Sequence, residues 1–171
     1  MRKSIIQTSL VYGLLAGFIC VVFFIALYIA DPNPLSLRRP DLGINIIFIF
    51  TSIYAFKKKN GGILHFYEGF SVGFLTNIIA ALFTGISIFL FLTLYDEAPL
   101  QAWIESGIEF LKLEKENSLS EVLTDETFNS QIVSLQNAKP YQIILDELMF
   151  KQIGIIAISL CTLAMRKHQN P

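Results

Sequence analysis

An all-α membrane fold with four transmembrane helices is predicted by three features of this 171-residue sequence. Two runs, Ser4–Ala30 and Gly69–Tyr95, contain no charged residue. Each exceeds the roughly 20 residues that a helix needs to cross about 30 Å of hydrocarbon. Two shorter apolar runs, Leu42–Phe56 and Gln152–Met165, alternate with them. Basic residues cluster at one side of the resulting thread and acidic residues at the other.

The first span is placed at about residues 5–30. Arg2 and Lys3 precede it, as in a signal peptide, but its apolar core is about twice the usual length for one and Tyr28 stands where a cleavage site needs a small residue. It is therefore expected to be a retained helix. The following "DPNPLSLRRPD" holds three prolines in eleven residues. Proline supplies no backbone donor and fixes φ, so this stretch is expected to be a short turn.

The second and fourth apolar runs would cover only about 21–23 Å as helices, so each must recruit neighbours. The second span is placed at about 40–57, with the lysines Lys57–Lys59 snorkelling at its far end. Gly61-Gly62 give the next turn its backbone freedom. The third span is placed at about 69–95, and Glu68 sits where an acid favours a helix start. The fourth is placed at about 146–166; it begins from Pro140, with Asp146, Glu147 and Lys151 in its first turns at the membrane interface.

Residues 96–140 form the only sizeable polar segment and are expected to be an extracytoplasmic insertion. Pro99 suits a first helical turn. Leu100, Trp103, Ile104, Gly107, Ile108 and Leu111 then recur on one face, with Glu105, Glu109, Lys112 and Glu116 on the other. Ser118 with Glu121 fits a capping box, and Thr124 fits another helix start. An amphipathic pair of helices is expected between spans three and four, the second over about 125–137.

Threading follows from charge. The amino terminus, the 57–68 loop and the carboxy terminus carry Arg2, Lys3, Lys57, Lys58, Lys59, Arg166 and Lys167 against one acid, Glu68. The other side carries six basic residues and 13 acids. Lys and Arg near span ends mark the cytoplasmic side. Both termini are expected in the cytoplasm, with Arg38 and Arg39 counting mildly against this. Cys20 and Cys161 fall at different depths and are read as small apolar fillers, not a disulfide.

Gly13-x-x-x-Gly17-Phe18 and Gly69-x-x-x-Gly73-Phe74 share one pattern, and Ala81 and Gly85 extend the second. Such small-residue strips let helix backbones approach closely. Packing of spans one and three is the leading expectation, with homo-oligomerisation as the alternative. Asn45 and Asn77 are placed for an interhelical hydrogen bond. A polar or ion site, if there is one, would draw on Asn45, Asn77, Glu68, Asp146, Glu147 and Lys151. His65 and Glu68, three apart, are read as a helix start at the rim.

The sequence lacks HExxH, P-loop and dinucleotide patterns. It has two histidines and no Cys/His cluster with metal-ligand spacing. No catalytic, metal or cofactor site is expected, and no nucleic-acid partner. The lipid bilayer is the first partner expected, and an envelope protein docking on residues 98–137 the second.

The opening "YGLLAGF", the block "KKNGGILHFYEGFSVGFLTNIIAALF" and the exit "LYDEAPL" resemble a Bacteroidetes-type bacterial membrane-protein family, domain of unknown function 4199. The resemblance implies a four-span inner-membrane protein with a helical insertion between spans three and four. It brings no activity and no site residues. The leading functional expectation is a non-enzymatic accessory or scaffold protein; the alternative is a small oligomeric transporter or channel.

Overall fold

The computed structural model describes residues 3–117 and 125–166. These fold into α1 (Lys3–Ala30), α2 (Pro34–Leu37), α3 (Asp41–Lys59), α4 (Phe66–Leu94), α5 (Ala98–Asn117), α6 (Asp125–Gln136), α7 (Gln142–Lys151) and α8 (Gly154–Met165). No β-strand occurs among the described residues. Three helical stretches are long and apolar enough to cross a membrane: α1, α4, and α7 with α8 taken through the break between them. The capping residues expected at Ser118, Glu121 and Thr124 lie outside the described residues.

Helix α4 is the axis of the bundle, with α1, α3, α7 and α8 packed around it. Its glycines and alanines explain how it accepts four neighbours: Gly69, Gly73, Ala80, Ala81 and Gly85 are all buried. A β-carbon added at Gly13 or Gly17 of α1 would come within 2.7 Å of Ile79 or 2.9 Å of Phe83 on α4. Gly69 and Gly73 do not return the contact to α1. They lie against Thr162 and Ile158 of α8, and Gly73 also meets Ile53 of α3. A glycine strip is a groove that takes a ridge of larger side chains, so the two strips serve different partners rather than each other.

Two apolar clusters occupy the ends of the bundle. One gathers Ile5, Ile49, Ile53, Phe56, Leu64, Val72 and Ile158. At that end Gly61 and Gly62, both with positive φ (68° and 82°), turn the chain from α3 into α4. Glu68 then accepts the His65 backbone N–H at 3.2 Å, tying down the first turn of α4. Glu68 is fully buried there, with the Asn60 side-chain amide 3.4 Å away. Its place is inside the packed end rather than at an exposed rim.

The second cluster joins Phe24, Leu35, Ile88, Leu92 and Ile143 to Leu100 and Ile104 of α5. Thus the apolar face of α5 is seated on the bundle. Asn33 fastens it from the side: its amide donates to Ser106 Oγ at 2.8 Å and to the Ala102 carbonyl at 3.3 Å. Helix α6 packs on α5, where Lys115 lies 4.2 Å from the Phe128 ring centroid.

Candidate functional site: a buried charge network beneath a recess

Between the two apolar clusters, in the middle of the α4 register, lies a polar layer. Its centre is Lys151, the last residue of α7, whose side chain is fully buried. The ammonium lies 3.0 Å from Glu147 Oε2 and 3.5 Å from Asp41 Oδ2. It also donates to Thr84 Oγ1 at 3.4 Å. Glu147 and Lys151 stand four apart on one helix, so they share a face by geometry. Asp41 is brought in by the first turn of α3, immediately after the proline-rich turn.

Arg38 closes the network from outside. One of its Nη atoms pairs with Glu147 Oε1, and the other stands 3.8 Å from Asp146 Oδ2. Burial pulls the Arg38 guanidinium below its ordinary pKa, while Asp41 and Asp146 hold it up. Two cations, Arg38 and Lys151, therefore answer two buried carboxylates, Asp41 and Glu147. Such balance is what permits charge at this depth, because an isolated ion there costs several kcal/mol.

The network continues into α4 and α3. Asn77 Nδ2 donates to the Lys151 backbone carbonyl at 2.9 Å, and Asn45 Nδ2 donates to Asn77 Oδ1. The Lys151 carbonyl needs that donor because the helix breaks there. Across Gln152–Ile153 the backbone bonds tighten to three-residue steps, with Ile155 N–H turning to the Gln152 carbonyl at 2.9 Å. The break is set where Gly154 passes Asn77: an added β-carbon would stand 3.3 Å from Asn77 Oδ1.

Above the network opens a recess of about 540 Å³, lined by Arg38, Arg39, Asp41, Asp146 and Glu147 together with apolar Leu35, Trp103, Met149 and Phe150. Three separate parts of the chain meet here: the link from α2 to α3, the face of α5 and the outer turns of α7. The recess is within the size range of small-molecule sites, about 300–1,000 Å³. Its floor is ionic and its wall is apolar, with one indole.

The structure thus gathers Asn45, Asn77, Asp146, Glu147 and Lys151 into one constellation and leaves Glu68 at the opposite end of the bundle. Glu147 and Lys151 are core residues of the bundle, because Asp41 and Arg38 cover them. Sequence reasoning missed Arg38, Asp41 and Thr84. A signal was available: Asp41 heads one apolar run and Lys151 precedes another, and two opposite charges at the starts of spans that run in the same direction would lie at one depth. Among the described residues no group of three His, Cys, Asp or Glu side chains could hold a metal ion. Cys20 and Cys161 are both free thiols.

Neither a curated protein nor a solved structure matches the chain. A family model does, over residues 11–167, a range that takes in every helix carrying the charge network. The chain belongs to the family described as "Protein of unknown function (DUF4199)".

Proposed function

We propose that this is a four-span protein of a bacterial inner membrane, with both termini cytoplasmic and residues 96–140 outside, that acts without covalent chemistry as an accessory subunit. On this reading α3 is the second span. Its acid, Asp41, is neutralised by Lys151, and its three terminal lysines lie at the cytoplasmic surface, so its charges do not bar it from the bilayer. The observation that carries the accessory role is the seating of α5. Leu100 and Ile104 are built into the bundle core, while Phe110 and Leu113 stand 59% and 49% exposed farther along the same helix. A soluble insertion fixed to the membrane part and bearing unburied apolar residues is suited to hold a partner in a set orientation.

Crosslinking in native membranes through Lys112, Lys115 and Lys139 tests this. One recurrent envelope protein is expected, and Phe110→Asp with Leu113→Glu should release it. Crosslinks unchanged by that double variant would remove α5 as the docking face.

A second reading, a small oligomeric transporter or channel, is favoured by the broken α7–α8 helix beside paired buried charges. Discontinuous helices with ionisable side chains recur where transporters bind their ions. Liposome flux that vanishes in Lys151→Met but persists in Phe110→Asp would favour it over the accessory role.

A further inference from the structure

The charges that line the recess do not all find partners. Arg38, Lys151, Asp41 and Glu147 compensate one another in the floor. Two residues at the mouth keep capacity for a ligand: Arg39, and Asp146, whose one ion pair, with Arg38, is long and solvent-exposed. Arg39 has no carboxylate within ion-pair distance among the described residues and is exposed. Asp146 is 63% exposed in its side chain and reaches Arg38 only at 3.8 Å, too long for a hydrogen bond. The mouth therefore presents one exposed cation, Arg39, and one exposed, weakly paired anion, Asp146, against an apolar wall containing Trp103. A simple anion would meet Asp146, and a simple cation would meet Arg39. The complementary ligand carries both charges.

The surroundings say where such a ligand comes from. From the recess wall an apolar stripe runs along α7 and α8: Met149 (76% exposed), Ile153 (53%), Ile156 (66%) and Leu160 (62%). Within α8 the four-residue spacing of Ile156 and Leu160 keeps them on one helical face. On a span this stripe faces hydrocarbon, so the recess sits at the head of a lipid-facing track.

We propose that the recess is a headgroup site for a zwitterionic phospholipid bearing a primary amine, a phosphatidylethanolamine. Its phosphate lies on Arg39, its ammonium on Asp146, and one acyl chain along the Met149–Leu160 stripe. Guanidinium suits phosphate because its planar fork matches two oxygens. A primary ammonium donates hydrogen bonds to the Asp146 carboxylate, whereas a quaternary choline has no N–H to give. The assignment rests on the reading that α7–α8 spans the bilayer, which sided labelling of single cysteines placed at the exposed positions Leu145 and Arg166 tests independently.

Trp103 is the only tryptophan in the chain and stands in the recess wall, so it reports occupancy directly. The full-length protein is placed in phosphatidylcholine nanodiscs doped with acyl-brominated phosphatidylethanolamine, phosphatidylcholine or phosphatidylglycerol at equal low mole fraction. Brominated phosphatidylethanolamine is expected to quench Trp103 about threefold more than either of the others, the scale of one exposed charge contact. Arg39→Gln and Asp146→Asn should each reduce it to the phosphatidylcholine level. Both residues are exposed, so an unchanged melting temperature verifies that the fold is intact. Equal quenching by all three lipids overturns the site. Stronger quenching by phosphatidylglycerol overturns the zwitterion. Relief of quenching by free phosphoethanolamine in the buffer overturns the lipid as the source and makes the ligand a soluble one.

Discussion

Lys151 at the end of α7 holds its ammonium 3.5 Å from the Asp41 carboxylate at the start of α3, and neither side chain reaches solvent. Buried pairs of this kind add little net stability over an apolar core of the same shape, because both ions must first lose their water. Removing one partner is another matter. It strands the other charge in a dry environment.

Lys151→Met is therefore expected to destabilise the protein by about 3–5 kcal/mol, since it leaves Asp41 and half of Glu147 uncompensated. Asp41→Asn combined with Lys151→Met should cost less than the two singles added, by about 1–3 kcal/mol. Denaturation in detergent, followed by Trp103 fluorescence, measures the cycle. Strict additivity would mean that the two side chains do not share an ion pair.

Asn77 supports the broken helix. Asn77→Leu removes the donor to the Lys151 carbonyl and the acceptor of Asn45. Hydrogen bonds inside membranes contribute about 1 kcal/mol or less each, so a loss of about 1–2 kcal/mol is expected. Amide exchange should speed up around Gln152–Gly154 in this variant. Unchanged exchange there would separate Asn77 from the break.

The glycine contacts predict a ranked series. Gly13→Ala and Gly69→Ala each put a β-carbon 2.7 Å from a neighbour on another helix, Ile79 or Thr162. Overpacking of this sort costs about 1–3 kcal/mol. Gly43→Ala has nothing within 4 Å and should be neutral or slightly stabilising. Equal melting temperatures for all three would show that the helices are not packed this closely.

At the C-terminal end of α4, Asp96 accepts the Tyr28 hydroxyl at 2.7 Å and the Ala98 backbone N–H at 2.9 Å. These bonds favour the ionised form and hold its carboxyl below the usual aspartate range, the backbone bond contributing most. A depressed carboxylate pKa contributes stability that is present above the unfolded value and is lost as pH falls through the folded one. Tyr28→Phe should raise the Asp96 pKa toward its ordinary value, as read by NMR titration. It should also shift the acid unfolding transition to higher pH. No change in the titration would place the whole effect in the Ala98 bond.

The helical class and three long apolar helices were legible in the sequence. Charge-free length and apolar spacing encode them locally. The charge network was legible only in part. Asp146, Glu147 and Lys151 announce themselves as charges next to hydrocarbon, and Asn45 with Asn77 as polar residues within it. That Lys151 is a core residue depends on Asp41 and Arg38, which arrive from more than a hundred positions away. Local pattern carries no record of that meeting. Gly69 and Gly73 show the same limit: a small-residue strip marks a close approach but does not name the helix that makes it.

The most direct test of the four-span account is sided labelling of the two ends of α3. Ser36 lines the recess and Lys58 lies at the far end of the helix. With Cys20 and Cys161 replaced by alanine, single cysteines at 36 and 58 are treated with a membrane-impermeant maleimide on intact spheroplasts. The account predicts labelling at position 36 from outside and at position 58 only after permeabilisation. Labelling of both positions from the same side would contradict it, because α3 would then not cross the membrane.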